Sequence, residues 1–280
     1  MLADEPLQPQ DLVLTLLGTY VRPFARTVWS GGMVSLLGEF GFSDGAARAA
    51  LTRLVRRDLI ARVRSGRLVH YRLTPRCEGL LIEGDGRIFT LGRLPTDAGP
   101  WTILWHQIPE DHRLERTRLG RRLRFLGFGS VQDSVWVSPH DHSTEVLELL
   151  GELGVGDSGA VFVASLRPGP GLPAMVMRAW DLSGLENRYD AFCSEFDPYA
   201  VSDRPSLGDR EAFVVRTRLM HAFRAFAQLD PELPDELAVL SRSRARAVEI
   251  FDALYAGLAP ASQRHFDAVA GSSPAPAAAS

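Results

Sequence analysis

Four side chains between Ser43 and Arg57 carry the pattern with the most chemical content in the chain: Arg48, Thr52, Arg53 and Arg56. On a helix, at about 100° per residue, Arg48, Ala49, Thr52, Arg53 and Arg56 gather on one arc, with Arg57 at its border. Ala46, Ala47, Ala50, Leu51, Leu54 and Val55 fall on the opposite arc. One face can bury while the other presents guanidinium groups with no bulky apolar obstruction. Guanidinium is a planar, permanently charged fork that suits phosphate and the O6/N7 edge of guanine. A helix entering a major groove needs that division of faces.

Arg62, Arg64, Arg67, His70 and Arg72 follow, in a stretch whose tip reads Arg64-Ser65-Gly66-Arg67. A basic tip neutralises backbone phosphate or reads a narrow minor groove. The bland alternative is a small helical domain whose Arg residues form a solvated face. The residues expected to touch DNA are Arg48, Thr52, Arg53 and Arg56 on the helix, Arg57 near the backbone, and Arg64 and Arg67 on the hairpin.

These side chains need elements to position them. Residues 10–22 have the apolar spacing of a helix, ending at or near Pro23. Thr27 to Trp29 is extended, and Met33 to Phe40 forms a second helix closed by Gly41. Ser43 is an N-cap for the third helix, with Asp44 at the positive end of its dipole. Strands Ile60–Arg64 and Arg67–Leu73 follow, joined by the two-residue turn Ser65-Gly66. Three helices and a hairpin outline a winged helix-turn-helix. A further helix runs from Thr74-Pro75 to Leu81 or on to Thr90.

The order changes after the Gly- and Pro-bearing linker at Leu91–Pro100. Strand Trp101–Ile108, helix Asp111–Leu126, strands Gly129–Val131 and Val135–Val137, helix Glu145–Leu153 and buried strand Ala160–Leu166 form a β-α-β-β-α-β series. That series is the ferredoxin-like split unit. A second Pro/Gly linker follows Arg167, and the remainder is helical as far as a Pro/Ala/Ser-rich tail. The fold class is α+β. The expected domains are a winged helix over 1–93, a ferredoxin-like domain over 100–167, a helical domain over 174–270 and a disordered tail over 271–280.

Charge supports this division. The chain has 280 residues and a net charge of −3, and every cation is Arg. Residues 10–76 carry a net +7 and residues 77–280 a net −8. A basic head on an acidic body points to a polyanion partner for the head. With 45% hydrophobic residues, wholesale disorder is excluded. The longest apolar runs, such as Ala160–Ala164, fall short of the roughly 20 residues that cross a bilayer. Met1–Pro9 is not a secretory signal, and Cys77 and Cys193 make no disulfide framework. A cytoplasmic protein with no membrane partner is expected.

Several separate blocks stand out along the chain: Leu16-Leu17-Gly18-Thr19-Tyr20-Val21-Arg22-Pro23, Val28-Trp29, Ala47 through Val55, and Tyr71-Arg72-Leu73-Thr74-Pro75. Later come Arg178-Ala179-Trp180-Asp181-Leu182, Arg216 through His221, and Leu229 through Pro234. In these blocks the chain resembles the PaaX family of bacterial transcriptional regulators. The resemblance covers nearly the whole chain with its blocks in order. It implies a winged helix, a central ferredoxin fold like that of a small CRISPR-associated nuclease, and a helical C-terminal domain. It also implies a dimeric repressor on a roughly palindromic DNA operator. Because the best-known members respond to phenylacetyl-coenzyme A, it implies a small-molecule effector such as an aryl- or acyl-coenzyme A.

Other chemistry has less support. In the CRISPR-type nuclease the first strand ends in a metal-holding acid, whereas Gln107 stands at the matching position here, and a neutral amide is a poor Mg²⁺ ligand. Glu110 and Asp111 are the residues that could compensate. His140-Asp141-His142 has the look of a metal pair but fits a turn before a helix better. Cys193 and His221 have no signature of a catalytic pair, and no phosphate or dinucleotide loop occurs. No catalytic residue, metal or cofactor is expected. Arg113, Arg116, Arg118, Arg121, Arg122 and Arg124 form a solvated face, a coenzyme A phosphate contact or a dimer contact. Trp101, Trp105, Trp136, Trp180 and Tyr189 are mostly core, with an aromatic ligand pocket as the alternative. The competing function is a protein–protein or small-molecule-binding module that does not touch DNA, followed by the nuclease.

Overall fold

A computed structural model of the chain describes residues 7–93, 99–167, 169–201, 207–234, 237, 241–271 and 273–274. By contacts it divides into two compact units. One comprises Met1–Phe89, Ser194–Arg224 and Glu249–Ser280, and the other Thr90–Cys193 and Ala225–Val248.

In the first unit α1 (Pro9–Leu16) opens with proline at its first position, where the missing N–H costs no hydrogen bond. The helix does not continue regularly to residue 22. It widens into a π turn over Leu17–Val21 and tightens into a 3₁₀ turn over Arg22–Phe24, with Pro23 inside that turn. Ala25, at φ 46°, reverses the chain into β1 (Arg26–Trp29). Then come α2 (Ser30–Gly38) and α3 (Asp44–Arg56). The Ala46 N–H donates to Ser43 Oγ at 3.3 Å, so the α3 cap forms as the sequence suggests.

β2 (Ile60–Ser65) and β3 (Leu68–Leu73) pair antiparallel, with Ser65 opposite Leu68. The two turn positions are therefore Gly66 and Arg67, one residue beyond the expected Ser65-Gly66. Gly66 takes φ +61°, where a side chain would be strained, so glycine belongs at the first turn position. β1 lies on the other side of β3, with Val28 opposite Tyr71. α4 (Pro75–Thr90) follows the hairpin.

The second unit holds β4 (Trp101–His106), α5 (Arg113–Phe125), β5 (Gly129–Gln132), β6 (Val135–Ser138), α6 (Ser143–Glu152) and β7 (Gly159–Ala164). The sheet is antiparallel in the order β5-β6-β4-β7. Leu104 of β4, Leu119 and Leu123 of α5, and Val146, Leu149 and Leu150 of α6 share one buried cluster. Both helices thus cover the same face of the sheet. α7 (Leu172–Ala179) covers part of the other face, where a Cβ on Gly129 would meet Ala179 and Trp180. Trp101 packs edge-on to Trp180, but Trp105 and Phe162 are exposed. β7 is therefore not the buried strand that its apolar run suggests. It lies at the sheet edge, and Phe162 and Val163 are about half exposed, one toward each face.

The rest is α8 (Leu182–Ala200), α9 (Asp209–Leu229), α10 (Ser241–Gly257), α11 (Ala259–Ala270) and the two-residue strand β8 (Ser273–Pro274). β8 pairs with β1, extending the first sheet to the order β2-β3-β1-β8. Of the tail expected to be disordered, residues 272 and 275–280 lie outside the described residues.

The core of the first unit joins α1, α2 and α3 to Phe213 of α9 and to Phe266 and Ala270 of α11. Tyr20 stacks on Phe266 with ring centroids 5.0 Å apart. A Cβ on Gly32 of α2 would sit 2.5 Å from Ala270 Cα, so glycine lets the two helices touch. In the second unit Tyr189 stacks on Phe226, and its hydroxyl donates to the buried Asp230 carboxylate at 2.7 Å. Arg244 lies 3.5 Å from that carboxylate.

Candidate nucleic-acid interface

α3 supplies the site because it is sharply two-sided. Ala47, Ala50, Leu51 and Leu54 are buried, while Arg48, Arg53, Arg56 and Arg57 are exposed and Thr52 is partly exposed. The buried leucines hold the helix in place, and truncating one to alanine costs about 2–5 kcal/mol in a typical core. The Thr52 hydroxyl donates to Arg48 O at 2.9 Å, so toward an outside partner it acts as an acceptor. Arg48 lies 3.8 Å from Asp44, but the side chains are 64% and 79% exposed. A pair of that kind is worth about 0–1 kcal/mol and yields readily to a phosphate or a base.

The hairpin adds a second cationic wall. Arg62 faces Tyr71 across the ladder and Arg64 faces Val69, so side chains two apart on β2 share one side. That side meets α3 at a cleft of about 340 Å³, whose lining includes Arg48, Thr52, Arg62, Arg64 and Tyr71. Arg72 pairs with Ala61 and lies on the opposite side of the hairpin. Three guanidinium groups therefore converge on one open groove.

The structure brings Arg48, Thr52 and Arg64 together in the cleft. Arg53, Arg56 and Arg57 lie exposed on the same helix or at its end, and Arg67 sits exposed on the turn; none of these four lines the cleft. The omission from the expected set is Arg62. Its signal was present in the two-residue spacing to Arg64, since that spacing puts both on one side of a strand.

The alternative sites resolve into structural roles. Asp141 Oδ1 accepts from the Ser143 N–H at 3.0 Å and from the Ser143 hydroxyl at 2.7 Å, which holds its carboxyl below the usual range. His140 Nε2 lies 3.2 Å from Pro231 O, and its carbonyl accepts from Thr102 at 2.8 Å. The His140-Asp141-His142 segment thus caps α6 and ties down the chain before it. Among the described residues, no three His, Cys, Asp or Glu side chains are grouped to hold a metal ion. The Gln107 N–H donates to Ser158 O at 2.7 Å at the end of β4, with no carboxylate at that position. Burial pushes the Cys77 thiol up to about 11, far from the range of a reactive thiolate.

Residues 8–77 match the family model described as PaaX-like protein. Residues 95–176 match the PaaX protein central Cas2-like domain, and residues 180–268 match the PaaX-like protein C-terminal domain. The transcriptional repressor PaaX of Escherichia coli (strain K12) is 26% identical over 262 residues, which is 91% of this chain and 82% of the repressor. The chain belongs to the PaaX family. The cleft of this PaaX-family chain lies wholly within the span of the first family model. A solved structure of an uncharacterized protein from Mycobacterium tuberculosis shares the fold, with a TM-score of 0.55, 22% identity, and coverage of 94% of this chain and 99% of that one. Among the described residues, no helix of the PaaX-family chain is long and apolar enough to cross a membrane.

Proposed function

We propose that the chain is a DNA-binding transcriptional repressor, cytoplasmic and without enzymatic activity. Its head, over residues 1–93, is a winged helix in which α3 reads the major groove and the β2–β3 hairpin is the wing. Residues 100–167 are a ferredoxin-like domain, for which the β-α-β-β-α-β order and the sheet order β5-β6-β4-β7 are the support. Residues 174–270 form a helical domain.

One observation carries the reading. The outward side of α3 is guanidinium, its inward side is sealed core, and Arg62 and Arg64 of the hairpin face the same groove as Arg48. Arg48, Thr52, Arg53 and Arg56 contact base edges, Arg57 the adjoining backbone, and Arg64 and Arg67 the flanking phosphates or minor groove. Two heads related by a two-fold axis read half-sites of a roughly palindromic operator. An effector such as an aryl- or acyl-coenzyme A acts by favouring a state in which the heads no longer match those half-sites.

A gel-shift titration with duplex from the promoter of its own operon tests the reading. The chain should prefer this duplex to an unrelated one of equal length, with affinity that falls steeply with salt. Equal affinity for both, or none for either, sinks it.

A further inference from the structure

Glu39 stands where local helix physics disfavours it. It closes α2, and the negative end of a helix dipole repels a carboxylate. The turn it belongs to is tightly specified. The Phe42 N–H donates to Leu37 O at 3.3 Å and the Gly41 N–H to Gly38 O at 3.0 Å, with Gly41 at φ +85°. That Schellman pattern runs directly into Ser43, the cap of α3, so the turn sets the direction in which α3 leaves.

Two other helices hold the Glu39 carboxylate, whose side chain is only 12% exposed. His265 Nε2 of α11 lies 2.8 Å from Glu39 Oε1, and Arg210 Nε of α9 donates to Oε2 at 3.3 Å. At the neighbouring positions Arg264 of α11 donates twice to Asp209 of α9, at 2.6 and 3.0 Å, which joins those two helices. Phe40, next in the turn, packs edge-on to Phe213 of α9, and the His265 ring lies 5.2 Å from the same phenyl. A charge kept against its local preference marks a place where function or tertiary structure needs it.

We infer that Glu39 is a positioning residue for DNA recognition: tied to His265 and Arg210, it fixes the α2–α3 turn and so the tilt at which α3 offers Arg48, Thr52 and Arg53 to the major groove. The inference rests on the repressor reading. Bidentate contacts to base edges tolerate little tilt, whereas arginine contacts to phosphate carry no sequence information and tolerate more. Loosening the tie therefore costs affinity for the operator more than affinity for random duplex. Loss of folded protein, by contrast, lowers both by the same factor.

Fluorescence anisotropy with promoter duplex and random duplex of equal length, run well below each variant's melting temperature, gives the ratio of the two affinities. Glu39→Ala should lower the parent's ratio about tenfold, the size of one lost base contact. Glu39→Gln keeps an amide oxygen that accepts from the same two partners, and should stay within about threefold of the parent. Arg210→Ala, at an exposed position, should lower the ratio about threefold without moving the melting temperature. Arg264→Ala cuts the neighbouring ion pair but leaves Glu39 alone, and should leave the ratio as it is.

A ratio unchanged in both Glu39→Ala and Arg210→Ala overturns the inference and leaves the repressor reading standing. A Glu39→Gln variant as impaired as Glu39→Ala also overturns it, because the turn itself would then be at fault. If Glu39→Ala does not fold, Arg210→Ala decides alone. A parent with equal affinity for the two duplexes removes the repressor reading and this inference together.

Discussion

Tyr20, at the end of the turn that follows α1, stacks face to face on Phe266 of α11, with ring centroids 5.0 Å apart and planes 11° from parallel. The Tyr20 hydroxyl is 3.0 Å from Thr217 Oγ1, and Phe213 flanks the ring. The head that carries α3 is completed by residues nearly 250 positions away in sequence. Phe266→Ala should therefore destabilise the first unit by about 3–5 kcal/mol. Chemical denaturation should read that loss directly, and DNA affinity should fall with it although Phe266 lies outside the cleft.

Base-reading and phosphate-binding arginines should separate by experiment. Arg48→Ala and Arg53→Ala should each lose about 1–3 kcal/mol of discrimination at one base position. Arg67→Ala should weaken operator and random duplex alike and lower the salt slope by about one. Arg62→Ala should weaken binding through the cleft it shares with Arg48, whereas Arg72→Ala, on the other side of the hairpin, should do so less. Competition binding against a panel of point-mutated operators measures all five.

His221 should make the fold acid-sensitive. Its Nδ1 lies 3.1 Å from Thr15 Oγ1, and burial, followed by the nearby Arg224 cation, brings its pKa down from 6.5 to about 4. Between those values the unfolded chain takes up a proton that the folded chain refuses. Stability is therefore full above pH 6.5 and falls as the pH drops toward 4, by roughly 3 kcal/mol at the lower end. His221→Asn should flatten that part of the profile when urea midpoints are compared from pH 7 to pH 4.

Gly32 marks the closest approach of α2 and α11. Gly32→Ala would place a Cβ 2.5 Å from Ala270 Cα and crowd the Val269 carbonyl, so the helices must separate. Overpacking of this kind costs about 1–3 kcal/mol, which outweighs alanine's better helix propensity. A lowered melting temperature is expected, with operator affinity reduced only as far as the head loosens.

Much of α3 was legible from local pattern. A cap at Ser43, an acid at Asp44 and apolar residues at helical spacing act within a few turns, so no distant partner is needed to specify them. The series from β4 to β7 was legible for the same reason. The hairpin turn was not, because register depends on which side of β3 meets β1, and that is set by Val28 opposite Tyr71. Nor was the exposure of β7, since the same apolar run suits a strand covered on both faces or one at an edge.

By itself the sequence determined which residues share a face: the guanidinium side of α3, the arginine cluster of α5, and the paired positions on β2. Periodicity is local, and a chain of fixed pitch leaves little choice in it. Only the tertiary structure decided what each face meets. It brought Arg62 to Arg48 across the cleft, closed the head with Phe213 and Phe266, and set β7 at a sheet edge. The physical reason is that apolar burial is non-directional: many distant side chains could have covered Tyr20, and packing of the whole chain selected these.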